Sequence, residues 1–185
     1  CRPPQMRRLS WQQCLCRREG SRRSPLLMQT TDKLIGRLSM SSSDEYQFLP
    51  VPVELIDSFW DAALKFLKPA IATAEGKVDA YDVYSDCQQR ISVLWVVIKD
   101  ENLVAAVTTR IITYPQARKG YAIEYVGGKD MKDWIDLVLD TLKPIAKQNG
   151  CTHFEAYGRS GWKRWLGKRN FEPKFIHFEM ELEDG

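Results

Sequence analysis

From Val53 to Ala74, apolar residues recur at three- and four-residue steps: Leu55, Ile56, Phe59, Trp60, Ala63, Leu64, Phe66 and Leu67. Asp57 and Asp61 fall on the other side, so the spacing predicts an amphipathic helix. Pro52 stands just ahead of it, where proline is tolerated. Pro69 is expected to end or kink the helix near Lys68, leaving Ala70–Ala74 as a second short turn. Asp79–Gln89 is ambiguous between a helix and an irregular link, and the helix is preferred. Two β-rich runs follow, Leu94–Ile98 and Leu103–Thr113, joined by the polar turn Lys99–Asn102.

A third run, Gly120–Val126, alternates Tyr121, Ile123 and Tyr125 with Ala122, Glu124 and Val126. It is expected to stop at Gly127-Gly128 and open the long helix Met131–Gln148. In that helix Trp134, Leu137, Val138, Leu142 and Ile145 form one stripe, opposite Lys132, Asp133, Asp136, Asp140 and Lys147. Asp130 is the expected N-cap and Gly150 the stop. A strand over Thr152–Tyr157, a Trp-rich helix over Gly161–Arg169 and a last strand over Lys174–Leu182 complete the order. A strand, helix and strand at this spacing form a crossover, so the Tyr121 and Phe154 strands should be parallel neighbours. The whole reads as an α/β domain with a mixed central sheet.

Composition narrows this picture. With 44% apolar and 28% charged residues, the chain of 185 reads as one globular domain. No apolar stretch reaches the roughly 20 residues of a spanning helix, so no membrane partner is expected. Residues 1–40 hold 9 Lys/Arg and 2 Asp/Glu, a net of +7; the remaining 18 and 22 give −4. The acidic remainder argues against a nucleic-acid partner. Residues 1–44 lack a sustained apolar period and read as a disordered or non-native basic leader, with Met28 or Met40 as a natural start and 45–185 as the domain. Cys1, Cys14 and Cys16 lie in the leader; Cys87 and Cys151 alone make neither a disulfide framework nor a zinc site. His153 and His177 are the only histidines, so no metal centre is expected, and a cytoplasmic setting is the default.

The glycine pair carries the candidate chemistry. A strand breaking on glycine into a helix N-terminus can aim backbone N–H groups at an anion. Meander, strand, glycine break, helix, strand, short helix and strand together are similar to the Gcn5-related N-acetyltransferase (GNAT) fold. The stretch Arg159–Pro173 resembles that family's penultimate helix and its closing Phe-Glu, here Phe171-Glu172. Its Gly158–Arg164 pattern also looks like divergent members among tailed-bacteriophage proteins. The resemblance covers Val53–Leu182.

It implies an acyl-CoA-dependent N-acyltransferase that moves an acetyl group from acetyl-CoA to an amine. The pyrophosphate would rest on the amides of Val126, Gly127, Gly128 and Lys129. The pantetheine arm would lie beside Tyr125, between the Tyr121 and Phe154 strands. Glu124 would be the general base, Tyr157 the acid for the leaving thiolate, and Arg159 and Ser160 further phosphate contacts.

Plainer readings stand beside these. Glu124 is also an ordinary outward polar residue, Gly127-Gly128 a tight turn with positive φ, Ser160 an N-cap and the tryptophan helix a core anchor. Neither register of the family's Arg/Gln-x-x-Gly-x-Gly/Ala loop, one starting at Glu124 and the other at Ile123, fits this chain. The alternative is therefore a non-catalytic phage protein of this fold, acting through a protein partner in virion assembly or structure, in host cytoplasm or virion.

Overall fold

The computed structural model describes residues 45–180 and 182. The expected basic leader lies outside the described residues. Those described fall into two compact units, one running to Glu155 and one from Ala156 onward.

In the first unit, β1 (Gln47–Pro50) precedes a 3-10 turn (Val53–Leu55) and helix α1 (Ile56–Ile71). Helix α2 (Ala80–Gln88) leads to β2 (Val93–Lys99), β3 (Asn102–Thr113) and β4 (Lys119–Gly128). Helix α3 (Met131–Gln148) then crosses to β5 (His153–Ala156). The five strands form one sheet in chain order, antiparallel from β1 to β4. Between β2 and β3, Asp100 and Glu101 take φ of 49° and 60°, the twin left-handed residues of a tight hairpin turn.

The Thr152 amide donates to the Lys119 carbonyl at 2.9 Å, and the Tyr121 and Phe154 rings meet edge to face at 5.5 Å. Both contacts carry one constant offset, so β5 runs parallel beside the first half of β4, as the crossover predicts. β5 ends at Ala156, level with Ile123.

Helices α1 and α2 cover one sheet face. Ile56, Ala63, Leu67, Ile71, Val83 and Cys87 pack there with Leu94, Val96 and Ala106 in one buried cluster. The buried residues of α3, among them Trp134, Val138 and Leu142, lie outside that cluster, which puts α3 in the opposite layer. Trp95 turns away from the α1–α2 face, stacks on Phe48 at 4.8 Å, and donates from Nε1 to Thr109 Oγ1 at 2.8 Å. The Tyr121 hydroxyl closes that network at 3.2 Å from Thr109 Oγ1, and burial pushes its phenol up to about 12.

Several expectations need correction. Strand β1 was not foreseen: four residues ending in proline carry no period, and pairing of Phe48 with Val97 makes them a strand. Pro69 does not end α1, which runs on to Ile71. Burial of Leu67 and Ile71 on the same stripe holds the last turn despite the missing amide. Asp130 makes no side-chain cap, because it sits in the left-handed region at φ 51°. Lastly, β4 does not stop before Gly127-Gly128 but runs through both.

The second unit contains helix α4 (Trp162–Gly167). Its N-cap is Gly161, with no side-chain cap from Ser160. The expected strand over Lys174–Leu182 does not form among the described residues; the segment is irregular. Phe175, Ile176, Phe178, Met180 and Leu182 are all exposed there.

Candidate functional site

The centre of the first unit is an irregularity in β4. Thr109 faces Ile123 and Thr108 faces Tyr125, so Glu124 has no opposite number on β3. Glu124 is thus a β-bulge, which bends the strand and re-aims its side chain. The period-two alternation read from the sequence breaks at this residue.

That side chain is only 15% exposed and is strongly engaged. Glu124 Oε1 accepts from Arg110 Nε at 2.7 Å and from Arg110 Nη2, while Oε2 accepts from Ser92 Oγ at 2.8 Å. Arg110 also reaches Asp86 on α2 at 3.7 Å. Burial pushes the Asp86 carboxyl above the usual carboxylate range, although Arg110 pulls the other way. Next in the chain, the Tyr125 amide donates to Thr108 Oγ1 at 3.2 Å, and burial lifts its phenol to about 12. Beneath them Cys87 is fully buried, its thiol likewise pushed up to about 12, so it is an inert core residue.

Gly127 pairs with Ala106 and Gly128 with Ala105. The Lys129 amide donates to Val104 O at 3.0 Å, continuing the same ladder. Amides in an antiparallel ladder alternate between its two sides. Those of Tyr125, Gly127 and Lys129 therefore face β3, and those of Val126 and Gly128 face away from it, beyond the end of β5. Of the four amides read as an anion cradle, two are in the ladder and two face outward.

The glycines are needed for a different reason than a turn. Neither has positive φ. A Cβ on Gly127 would lie 1.8 Å from the Phe66 carbonyl oxygen of α1, and one on Gly128 2.3 Å from Ala105 Cβ. Absence of a side chain lets α1 lie directly on β4. The break into α3 falls instead at Lys129 and Asp130, where Trp134 Nε1 donates to the Lys129 carbonyl at 2.6 Å.

Tyr157, Arg159 and Ser160 belong to the second unit. Arg159 and Ser160 offer their carbonyls to the Trp162 and Lys163 amides, at 2.9 and 3.1 Å. His153 lies on β5, while His177 lies in the irregular segment.

Sequence reasoning missed Arg110, Ser92 and Asp86. One signal was present: Arg110 is the only charge between Val104 and Thr113, and a lone arginine in an apolar strand asks for a carboxylate. Tyr114 and Glu155 were missed as well, because 41 positions separate them.

Among groups of three or more His, Cys, Asp and Glu, none among the described residues could hold a metal ion. No helix among them is long and apolar enough to cross a membrane.

No protein-family model matches the chain. No curated protein matches it in sequence. Solved structures do match it in three dimensions. A predicted acetyltransferase from Clostridium acetobutylicum, solved with acetyl-CoA, superposes with a TM-score of 0.56 at 12% identity, covering 74% of this chain and 96% of that one. An aminoglycoside acetyltransferase from an uncultured soil metagenomic sample, solved with sisomicin, gives 0.55 at 12% identity, covering 75% and 97%. Glucosamine-6-phosphate N-acetyltransferase from Arabidopsis thaliana gives 0.52 at 14% identity, covering 76% and 100%. At such identities the likeness concerns architecture: the mixed five-stranded sheet and its helices are the GNAT acetyltransferase fold.

Proposed function

We propose that this chain binds an acyl-CoA, acetyl-CoA in the first instance, and transfers its acyl group to an amine. One observation carries the reading: β4 runs on from Glu124 to Gly128 past the end of β5, with the Val126 and Gly128 amides turned away from β3. An extended amide-bearing arm fits such an edge by adding to it as a strand would. The residues at the strand's end fit a diphosphate. Gly128 is exposed, the Met131 and Lys132 amides that open α3 lack intrahelical acceptors, and Lys129 and Lys132 supply positive charge.

In this reading Val126 and Gly128 hold the arm, and Tyr125, Gly127 and Lys129 keep the strand in place against α1 and β3. Bound there, the thioester would supply an activated acyl group. Glu124 is set at the bulge as a fixed anion that attracts the amine. Its role as base requires that it exchange a hydrogen bond from Arg110 or Ser92 for one from the amine. Tyr157 as thiolate acid, and Arg159 and Ser160 as phosphate contacts, enter as residues to test by substitution.

Calorimetric titration with acetyl-CoA tests the core of this reading. Saturable heat that weakens in a Gly128→Pro variant is the expected result. Absence of both heat and a thermal shift at millimolar cofactor overturns it. The engagement of Glu124 with Arg110 favours a second reading, binding without catalysis: acetyl-CoA would bind, and no amine would be acylated.

A further inference from the structure

β5 is the last strand of the sheet, and among the described residues no sixth strand lies on its outer side. All four of its residues are half-buried, whereas Tyr121 and Ala122 on neighbouring β4 are fully buried. The Thr152 amide faces β4, so Phe154 and Ala156 turn their main-chain groups the same way. The main-chain groups of His153 and Glu155 therefore point outward, and among the described residues they take no hydrogen bond. This is an open ladder edge.

The β5 side chains sort by face. Phe154 meets Tyr121 on the α3 side. His153 and Glu155 turn to the other side, where Glu155 Oε1 lies 3.0 Å from His153 Nε2 and accepts from the Tyr114 hydroxyl at 2.6 Å.

The segment after α4 repeats that two-faced pattern without forming a strand. Ile176, Phe178, Met180 and Leu182 alternate with His177 and Glu179, the period of a half-buried strand. The four apolar side chains are 68–84% exposed. A row of large apolar groups in water marks a surface that pairs with another.

We propose that two copies of this chain associate by exchanging these segments, each laying 176–182 as a sixth strand against β5 of the other. One chain leaves its β5 edge without a strand and its segment without a ladder, and a two-fold pair supplies both at once. The opposite edge suits the segment less: β1 ends in Pro50, which has no N–H to give, while every residue of β5 has one.

Charge selects the register. With the strands antiparallel, His153 opposite Glu179 and Glu155 opposite His177, each carboxylate meets an imidazole. Phe154 then faces Phe178 of the second copy, and all four apolar side chains fall on the Phe154 side. A shift by two residues sets His153 against His177 in one direction and Glu155 against Glu179 in the other. In the matched register the outward groups of His153 and Glu155 are the ones that an antiparallel partner bonds. Four large side chains per copy, at roughly 60–120 Å² each, come with the surface they cover to about the 1,200–2,000 Å² of a specific interface.

Sedimentation equilibrium of the full chain should give a dimer, with amide exchange slowing at His153, Glu155 and 176–182 as the dimer fills. Isotope-filtered NOEs between a labelled and an unlabelled copy should join the Phe154 and Phe178 rings. Phe178→Asp alters a side chain that one chain leaves in water, so folding is kept while association should weaken about a hundredfold or more. His153→Pro deletes an outward N–H at the first residue of β5, where proline is tolerated, and should weaken association about tenfold. Leu55→Ser, at an exposed apolar residue of the first unit, should leave it unchanged.

A chain that stays monomeric at about 100 μM with His153 and Glu155 amides exchanging freely overturns the proposal. So does a monomer in which those amides are protected, because the segment then lies on its own β5. A dimer that survives Phe178→Asp, or weakens equally in Leu55→Ser, is held by another surface and overturns it too. The association needs no cofactor, so acetyl-CoA binding stands or falls separately.

Discussion

Leu103–Thr113 and Lys174–Leu182 are written in the same local language, dense in residues that favour strands, yet they end in different states. The first is most of β3, with β2 on one side, β4 on the other and its centre fully buried. The second is irregular, and its Phe175, Ile176, Phe178 and Met180 side chains stand in the open. The difference teaches that strand propensity is a statement about fitting a paired, half-covered surface. Where the ladder partner is present, twelve residues lock into register; where it is not, the same composition makes nothing regular.

The widest separation between the two regions should appear at alkaline pH. Burial raises Cys87, Tyr121 and Tyr125 to about 12. Unfolded, these groups release their protons nearer 9 to 10, so the unfolded chain binds fewer protons across this window. Their contribution to stability is intact below about pH 9 and drains away as pH rises toward 12. Of the seven tyrosines, Tyr121 and Tyr125 should therefore ionise only in a cooperative step that coincides with loss of far-UV signal. Complete tyrosinate formation without unfolding would mean that these two side chains are open to water.

Trp95→Ala should cost about 4 kcal/mol in urea denaturation, from lost burial and the cavity left behind. Gly127→Ala should cost about 2–3 kcal/mol, because the new methyl meets the Phe66 backbone of α1, which cannot swing aside as a side chain would. A neutral result would show that α1 does not rest on β4. Arg110→Met should cost about 2 kcal/mol by stranding Glu124, with the double variant Arg110→Met/Glu124→Gln recovering part of the loss. The smallest effect is expected at Phe175→Ser, within about 0.5 kcal/mol for a side chain already in water. If that substitution costs as much as Trp95→Ala, the contrast between the two stretches fails.

Much of the first unit was legible in the chain itself. Helices α1 and α3 announced themselves by apolar stripes, and α3 matched its expected span from Met131 to Gln148. The hairpin of β2 and β3 and the parallel crossover to β5 followed from spacing and handedness alone. The candidate site was legible only in its positions along β4. That Glu124 is a bulge could not be read, because a bulge is a mismatch between two strands and one strand does not contain it.

Local pattern by itself determined which segments could bury a face and that they assemble as an α/β sheet. It did so because helix and strand periods are properties of neighbouring residues. Tertiary structure decided the chemistry. It gave Glu124 to an arginine and Glu155 to a tyrosine and a histidine, and used Gly127 for helix contact where the chain suggested a turn. It also let β4 outrun β5. Each of those outcomes depends on atoms far apart in sequence brought within about 3 Å, the distance at which hydrogen bonds and steric exclusion act.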